Sequence, residues 1–291
     1  MRHLVKLSLL FYLLVWHNIG YASDYPKRIV SLGPSITEGL YLLGAGDRIV
    51  GVTTYCIKPP QAKKKEKIGS VTEVDVEKIA NLKPDLVIAT SLTSQKAKEK
   101  LKGLGIKVVD FSLPGNFSDL CEKFLMLGRI VGKGSEAEDI VIKANREIDT
   151  IRNRLKGLPK PKVFIQVGAR PLFTMTKDSF VNDLIELAGG INIAGEARGG
   201  LYSREKVIEQ NPDVIIIMTM GIVGEEEKRI WQRYRTLKAV RDNRIYIMDS
   251  YKIGSPTPVT FVETLKEMAG LLHPEVFVKK SGNGLDGMGN F

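Results

Sequence analysis

From residue 28 onward, short hydrophobic runs alternate with segments whose apolar residues recur every three or four positions. The first pattern is typical of buried strands and the second of amphipathic helices. Ser35 stands three residues before Glu38, a spacing that indicates a capping box and predicts a helix ending at Leu43. Strands that alternate with helices predict a mainly parallel sheet covered on both faces. In the first half of the chain the predicted strands are 28–32, 49–53, 86–89 and 106–111.

A single apolar stripe predicts one long helix over residues 136–156. The stripe consists of Ile140, Ala144, Ile148, Ile151 and Leu155. A helix of about 20 residues spans about 30 Å. The strand and helix pattern then restarts, with predicted strands at 162–167, 214–218 and 244–248. We therefore predict an α/β fold: two Rossmann-like α/β lobes joined by one long backbone helix, with a ligand cleft between the lobes.

Two stretches of the chain, 75–88 and 203–216, match at a constant offset of 128 positions. Each predicts a capped helix start, a Pro-Asp break and a buried strand. A lone carboxylate in a first helical turn is explained by the helix dipole, which it favours by about 0.3–1 kcal/mol. Its repetition in both lobes instead predicts a partner that presents two symmetric basic groups. The matched residues are Asp75 with Ser203, Glu77 with Glu205, and Pro84-Asp85 with Pro212-Asp213.

The first 22 residues have the pattern of a secretory signal peptide. Arg2 and Lys6 precede an apolar run over 7–16, and small residues at Gly20 and Ala22 predict cleavage after Ala22. A retained anchor is the alternative, although the apolar run is short for a membrane span of about 20 residues. A cysteine at the cleavage point would indicate lipid attachment, and Ser23 stands there instead. The mature chain is therefore expected to work outside the cytoplasm.

These patterns divide the chain into five predicted segments. After the signal peptide at 1–22 come an N-terminal α/β lobe at 23–135, a linking helix at 136–158 and a C-terminal α/β lobe at 159–280. The last segment, 281–291, is rich in Gly and Asn and is predicted to be a disordered tail.

Composition indicates a soluble globular protein, with 43% hydrophobic and 26% charged residues. The formal net charge of +10 becomes +8 once Arg2 and Lys6 are removed, since residues 1–22 contain no acid. The lysines are scattered and no aromatic residues interleave them, which argues against nucleic-acid binding. Spacing gives no reason for Cys56 and Cys121 to pair. We expect Cys121 in the core and regard Cys56 as a candidate cleft residue.

The motifs of common enzymes are missing from the sequence. Gly44-Ala45-Gly46 ends a predicted helix and has Ile49 where a dinucleotide fingerprint has its third glycine. There is no Gly-x-Ser-x-Gly nucleophile turn. After cleavage the only histidine is His273, which precedes Pro274 at a predicted helix end, and neither a zinc site nor a Ser-His-Asp triad is indicated by that alone. We therefore predict no enzymatic activity, no resident cofactor and no metal site; a metal cargo would arrive inside an organic chelate.

Candidate ligand contacts lie just past the ends of predicted strands, where open α/β sheets bind ligands. Tyr55, Phe173 and Asp249 occupy such positions, and Phe173 lies in a predicted turn over 170–174. Each aromatic residue has the alternative of lying at a core edge. Arg170 and Lys252 are candidate contacts for an acidic ligand, with surface charge as the alternative. Trp231 is expected to pack in the core.

The chain resembles the helical-backbone periplasmic binding proteins of ABC importers, which carry vitamin B12, haem and ferric siderophores. The resemblance covers about residues 29–277 and implies two rigid lobes, a shallow cleft and little closure. It implies a monomeric periplasmic receptor whose Glu77 and Glu205 dock on arginines of a permease dimer powered by a cytoplasmic ATPase. The residues that carry it are Val30 to Glu38, Pro59 to Ala62, Glu77 to Ile88, Phe173, Ser203 to Glu205 and Leu271 to Glu275.

Within that family, the cobalamin binders are the pattern most similar to this chain. Their ligand-contacting proline, tyrosine, phenylalanine and aspartate fall on Pro34, Tyr55, Phe173 and Asp249. Two tryptophans and a cleft arginine of the cobalamin binders are replaced by other residues in this chain. The resemblance implies a corrinoid ligand, with a ferric siderophore or haem as the alternative and a non-transport α/β protein or enzyme as a more distant one. The replaced positions are Val71, Gly199-Gly200 and Ile253.

Overall fold

The computed structural model describes residues 25–219 and 223–277. Within these residues two five-stranded sheets are connected by one long helix. This arrangement confirms the predicted fold of two α/β lobes on a backbone helix. The predicted signal peptide at 1–22, with its cleavage after Ala22, and the predicted tail at 281–291 lie outside the described residues.

The first sheet is parallel throughout, with strand order β3-β2-β1-β4-β5. Because all five strands run the same way, their carboxyl ends form one edge of the sheet. The strands are β1 Ile29–Ser31, β2 Ile49–Val52, β3 Glu66–Lys67, β4 Leu86–Thr90 and β5 Val108–Phe111. The helices are α1 Pro34–Leu42, α2 Val76–Asn81, α3 Gln95–Gly103 and α4 Phe117–Ile130, with 3-10 turns at Gly46–Arg48 and Pro60–Lys64.

The second sheet has strand order β10-β9-β6-β7, with β8 also paired to β6. Its strands run parallel except β7, which is antiparallel to β6. The strands are β6 Lys162–Ala169, β7 Leu172–Thr174, β8 Ile191–Asn192, β9 Val214–Thr219 and β10 Ile245–Asp249. The helices are α6 Phe180–Leu187, α7 Arg204–Gln210, α8 Val223–Gln232, α9 Lys238–Arg241, α10 Ser250–Gly254, α11 Pro258–Leu272 and α12 Pro274–Phe277.

The long helix, α5, covers Gly134–Leu155. It has 22 residues, which corresponds to about 33 Å at 1.5 Å per residue. Four of the five residues in the predicted stripe are buried, and Ile140 is half-buried. The stripe therefore faces the protein interior, as its helical spacing predicts.

One hydrophobic cluster extends across both lobes. It combines Phe117, Leu120 and Cys121 of α4 with the last four residues of the apolar stripe of α5, from Ala144 to Leu155, and with strands and helices of the second lobe. The rings of Phe117 and Phe261 lie 4.6 Å apart between centroids, at the junction of α4 and α11. Because the two lobes share this core, they are packed together by more than the linking helix alone.

Two local predictions are wrong. Helix α1 begins at Pro34 after an extended Gly33 with no side-chain cap, so the predicted capping box at Ser35 does not form. Proline is suited to the first helical position because its fixed φ matches the helix and its missing N–H is not needed there. The segment at 172–174, predicted as a turn, is instead the short strand β7.

Within the described residues, no helix combines the length and apolar character that a membrane crossing requires. The two cysteines are both buried and unpaired with each other, as predicted. Cys121 lies in the core, and burial raises the pKa of its thiol to about 12.

Candidate functional site

The two predicted docking helices begin alike. The Asp75 carboxylate caps α2 by accepting a hydrogen bond from the Lys78 amide at 2.9 Å. The Ser203 hydroxyl caps α7 by accepting from the Lys206 amide at 3.2 Å. Glu77 and Glu205 follow at the second helical position, and both are exposed.

The electrostatic setting of Glu205 keeps its carboxylate ionised. A hydrogen bond from its own backbone amide, and then one from the Ser203 hydroxyl, lowers the pKa of Glu205. An exposed and ionised carboxylate at a helix start is available to an external cation. Each lobe therefore presents one exposed carboxylate from an equivalent helix position.

The repeat also extends to the corner after each docking helix. Lys83 and Asn211 are both in the left-handed region, with φ of 45° and 46°. Two residues later, Asp85 accepts from the Lys27 amide at 2.8 Å and Asp213 accepts from the Lys162 amide at 2.7 Å. These carboxylates join each docking helix to the start of the first strand of its own lobe. The ends of the two docking helices are consequently held in the same way.

In the first lobe, the carboxyl edge of the sheet carries exposed apolar side chains. Tyr55 follows β2 and is 59% exposed, and Pro34 is the half-buried first residue of α1 after β1. Leu92 and Leu113 follow β4 and β5 and are 52% and 54% exposed. The two leucines were not predicted as candidates, although their positions just past strand ends are the same signal that indicated Tyr55.

In the second lobe, Phe173 lies on β7 and pairs with Gly168 near the carboxyl end of β6. Its ring rests on Gly200, where a Cβ would come within 2.1 Å of ring atoms. Leu201, which forms an isolated bridge with Phe173, is the most exposed large apolar residue described in this lobe at 63%. The Gly199-Gly200 replacement therefore leaves room for the Phe173 ring.

The charged candidates of the second lobe have partners within the chain. Asp249 ends β10 and caps α10 by accepting from the Tyr251 amide at 2.9 Å. Arg170 follows β6 and donates to Glu226 at 3.3 Å while remaining exposed. Lys252 pairs with Glu267 of α11 at 2.6 Å, which favours the surface-charge interpretation. Ile253, at the position of the family's arginine, is fully buried.

The strand ends of the two lobes meet at a contact between Lys58 and Tyr251. The Lys58 ammonium lies 4.7 Å from the centre of the Tyr251 ring. This contact places the loop that carries Tyr55 against the helix that Asp249 caps. Burial and the nearby Glu38 carboxylate raise the pKa of Tyr251. Burial also raises the pKa of Glu38, although Lys58 partly offsets this.

Cys56 is not a cleft residue, contrary to one interpretation of the sequence. Its side chain is fully buried, and its sulfur accepts a hydrogen bond from the Thr37 hydroxyl at 3.1 Å. The Thr53 hydroxyl lies 3.2 Å from the same sulfur. The chain thus turns Cys56 inward and Tyr55 outward at consecutive positions.

The remaining predicted residues fall inside the core. Trp231 is fully buried and donates from Nε1 to Gln166 at 2.6 Å, as expected for a packing residue. His273 is also buried. Among the residues that the structure describes, no group of three His, Cys, Asp or Glu side chains is placed to hold a metal ion.

Two α/β lobes on one long helix, with exposed apolar side chains along strand ends that meet, define a two-lobed binding protein. The family model described as "Periplasmic binding protein" matches residues 29–252, and the chain belongs to this family. This confirms the resemblance that the sequence shows, and relatives named below are transport proteins that bind substrates and are not enzymes.

Three comparisons illustrate the range of relatives. An uncharacterized ABC transporter substrate-binding lipoprotein, YvrC of Bacillus subtilis, is 34% identical over 87% of this chain and 82% of its own length. The vitamin B12-binding protein of Yersinia pseudotuberculosis is 31% identical over 66% of this chain and 69% of its own length. The structure of a possible iron-binding (periplasmic solute-binding) protein from Staphylococcus epidermidis is 29% identical, covers 86% of this chain and 100% of its own, and superposes with a TM-score of 0.77.

Proposed function

We propose that this chain is the secreted receptor of an ABC importer, which captures a corrinoid and docks on a permease dimer through Glu77 and Glu205. Transport energy comes from a cytoplasmic ATPase, a separate protein. The receptor acts as a monomer in the periplasm after cleavage behind Ala22. The observation that carries the proposal is the pair of exposed carboxylates on equivalent capped helix starts, one in each lobe.

Symmetry supports the docking part of this proposal. A permease dimer presents two equivalent surfaces, and two carboxylates at equivalent capped helix starts in two similar lobes can each meet one cation. Neither Glu77 nor Glu205 has a salt-bridge partner among the described residues. Pairs of this kind contribute more to encounter rate and register than to raw affinity.

The ligand part rests on the apolar strand ends and on the relatives. Tyr55 and Phe173 offer exposed aromatic surface, Pro34 lies at the strand ends of the first lobe, and Asp249 and Arg170 add polar groups at the strand ends of the second lobe. A broad ligand with an organic surface suits such an edge better than a bare ion does. A relative named as a vitamin B12-binding protein makes a corrinoid the first choice.

A calorimetric titration of residues 23–291 with cyanocobalamin tests the ligand. We expect one-to-one binding with a sub-micromolar Kd, and Asp249→Ala and Phe173→Ala variants that bind at least tenfold more weakly. Lys252→Ala is the matched control, because its ammonium is already paired with Glu267. A cyanocobalamin titration without heat or spectral change would contradict the corrinoid assignment.

A ferric siderophore or haem is the second candidate. It is favoured by the loss of the family's cobalamin-contacting arginine at Ile253, which is fully buried and cannot reach a ligand. A relative named as a possible iron-binding protein adds to this. Titration with haemin and with a ferric hydroxamate in the same calorimeter separates this candidate from the first.

The docking role is tested in liposomes that contain the permease and its ATPase. Glu77→Ala and Glu205→Ala are each expected to reduce transport at least tenfold and to leave the ligand Kd within twofold of wild type. Glu209→Ala, an exposed carboxylate late in the same helix as Glu205, is the control. Loss of ligand binding in either docking variant would contradict the assigned division of roles.

A further inference from the structure

The two docking helices begin alike but are supported differently. The residue before Glu77 is Val76, which packs against the hydrophobic cluster of the first lobe. The residue before Glu205, at the position 128 further on, is Arg204. The same backbone position therefore carries an apolar side chain in one lobe and a charged one in the other.

Arg204 begins a polar network that runs into the second lobe. Its guanidinium donates to the carboxylate of Glu227 on α8 at 2.5 Å and lies 4.6 Å from the centre of the Trp231 ring. The Glu227 side chain is only 2% exposed, so this ion pair is largely shielded from water. A shielded pair with a stacked guanidinium has one well-defined geometry.

The network ends on a strand of the cleft. Gln166 of β6 donates from Nε2 to Glu227 at 2.8 Å and accepts from Trp231 Nε1 at 2.6 Å. Gln166 is 1% exposed and pairs with Thr174 of β7, the strand that carries Phe173. Hydrogen bonds therefore connect the start of α7 to the sheet edge where ligand contacts are proposed.

We propose that Arg204, held by Glu227, which in turn accepts a hydrogen bond from Gln166, is a positioning residue that fixes the docking carboxylate of Glu205 against the cleft strands of the second lobe. Buried ion pairs add little net stability, but they can specify one arrangement over others. The first lobe uses apolar packing at Val76 for the same task. This inference rests on the proposed docking role of Glu205 and assigns that role a support that Glu77 lacks.

A mutant cycle on docking tests the inference without needing the ligand. Because Arg204→Met alone would leave a buried carboxylate unpaired, the test variant is Arg204→Met with Glu227→Gln, which removes both charges and keeps a partner for Gln166. Unloaded receptor binds to the permease–ATPase complex in nanodiscs, and the docking Kd is measured by interferometry. Arg204→Lys, which keeps the charge, serves as the conservative variant, and thermal melts confirm folding of each protein.

We expect the double variant to dock about tenfold more weakly than wild type. The Arg204→Lys variant, which keeps the charge, should lose less docking affinity than the double variant does. In the double-variant background, adding Glu205→Ala should change the docking Kd less than twofold, while adding Glu77→Ala should keep its full effect. Non-additivity at one carboxylate only is a result that general destabilisation does not produce.

Two other outcomes have different meanings. If Glu205→Ala keeps its full effect in the double-variant background, the positioning role of Arg204 is overturned and the docking role of Glu205 stands. If Glu205→Ala docks like wild type in the unmodified protein, the docking function itself is overturned and this inference with it.

Discussion

At the scale of single residues, a glycine determines how an aromatic side chain reaches the cleft. The ring of Phe173 occupies the space above Gly200, and 39% of Phe173 remains exposed. Thr174 donates from its amide to the Gly200 carbonyl at 2.8 Å, which keeps the two segments in register. The glycine pair therefore gives the Phe173 ring the space above Gly200.

Substitution of Gly200 should therefore act on the ligand through Phe173. Gly200→Ala places a Cβ within 2.1 Å of the ring and forces the ring to move. Loss of one aromatic contact is worth roughly 1.5–3 kcal/mol, so we expect Gly200→Ala and Phe173→Ala each to weaken ligand binding by about tenfold or more. Calorimetry with whichever ligand the cyanocobalamin, haemin and ferric hydroxamate titrations identify measures this. Gly115→Ala, at an open position, should bind like wild type.

The Glu38 carboxylate should make stability depend on pH. Burial raises its pKa above 4.5, so the folded protein holds this proton more tightly than the unfolded chain does. The cost of the buried charge is therefore fully present above the folded pKa and disappears as pH falls through that value. Glu38→Gln should raise the Tm at pH 7, and the gain should shrink toward pH 4.5. Glu209→Gln, an exposed control, should not show this pH trend in Tm. An equal gain in Tm for Glu38→Gln at all pH values would contradict the prediction.

At the scale of elements, the corners after α2 and α7 have the same backbone conformation but different side chains, Lys83 and Asn211. Both Lys83 and Asn211 are left-handed, a conformation that costs most L-residues about 1–2 kcal/mol. Asparagine tolerates it better than lysine does. Asn211 also accepts a hydrogen bond from the Lys238 amide at 2.9 Å, which begins α9. The two corners should thus respond differently to glycine.

Lys83→Gly is expected to stabilise the protein by about 0.5–1 kcal/mol, because relief of the left-handed strain exceeds the entropy that glycine costs. Asn211→Gly is expected to destabilise it by about 0.5–1 kcal/mol, because the bond to Lys238 is lost. Urea unfolding of the two variants measures both changes. A shift of the same sign in both would show that side-chain bonding does not distinguish these corners.

The long periodic elements could be predicted from the sequence and the short ones could not. The stripe of α5 and the repeat around Glu77 and Glu205 carry enough residues to define period and offset. Strand β7 has three residues and no visible period, and it forms because its backbone pairs with β6. The sequence predicts a capping box at Ser35, but α1 begins at Pro34, because both residues favour helix starts and the proline occupies the first helical position.

Contacts between distant residues explain the rest of the difference. Lys58 and Tyr251 are 193 positions apart, and nothing local in either segment indicates that they meet. The Arg204 network likewise depends on α8 and β6 lying against α7. The positions of candidate ligand residues past strand ends followed from topology, whereas their partners required the packing of whole lobes.

At the scale of the whole molecule, the lobes are coupled by a shared interior. The Phe117 amide of α4 donates to Asp183 of α6 at 2.8 Å, and the Phe117 ring packs on Phe261 of α11. Movement of one lobe against the other would break these buried contacts. We therefore expect the cleft to close little on its ligand, and its rim should already match the ligand surface.

The shared core should also make the protein unfold as one unit. We expect a single calorimetric transition whose van't Hoff and calorimetric enthalpies agree, because one core cluster is shared by the two lobes and unfolding of either lobe would disrupt it. Phe261→Ala removes a fully buried ring at the junction and should cost about 3–5 kcal/mol while loosening both lobes together. Leu237→Ala, in a cluster confined to the second lobe, is the matched core control and should leave the transition single. Two resolved transitions in the wild-type protein would show that the lobes are independent, and the proposed rigidity of the cleft would then be wrong.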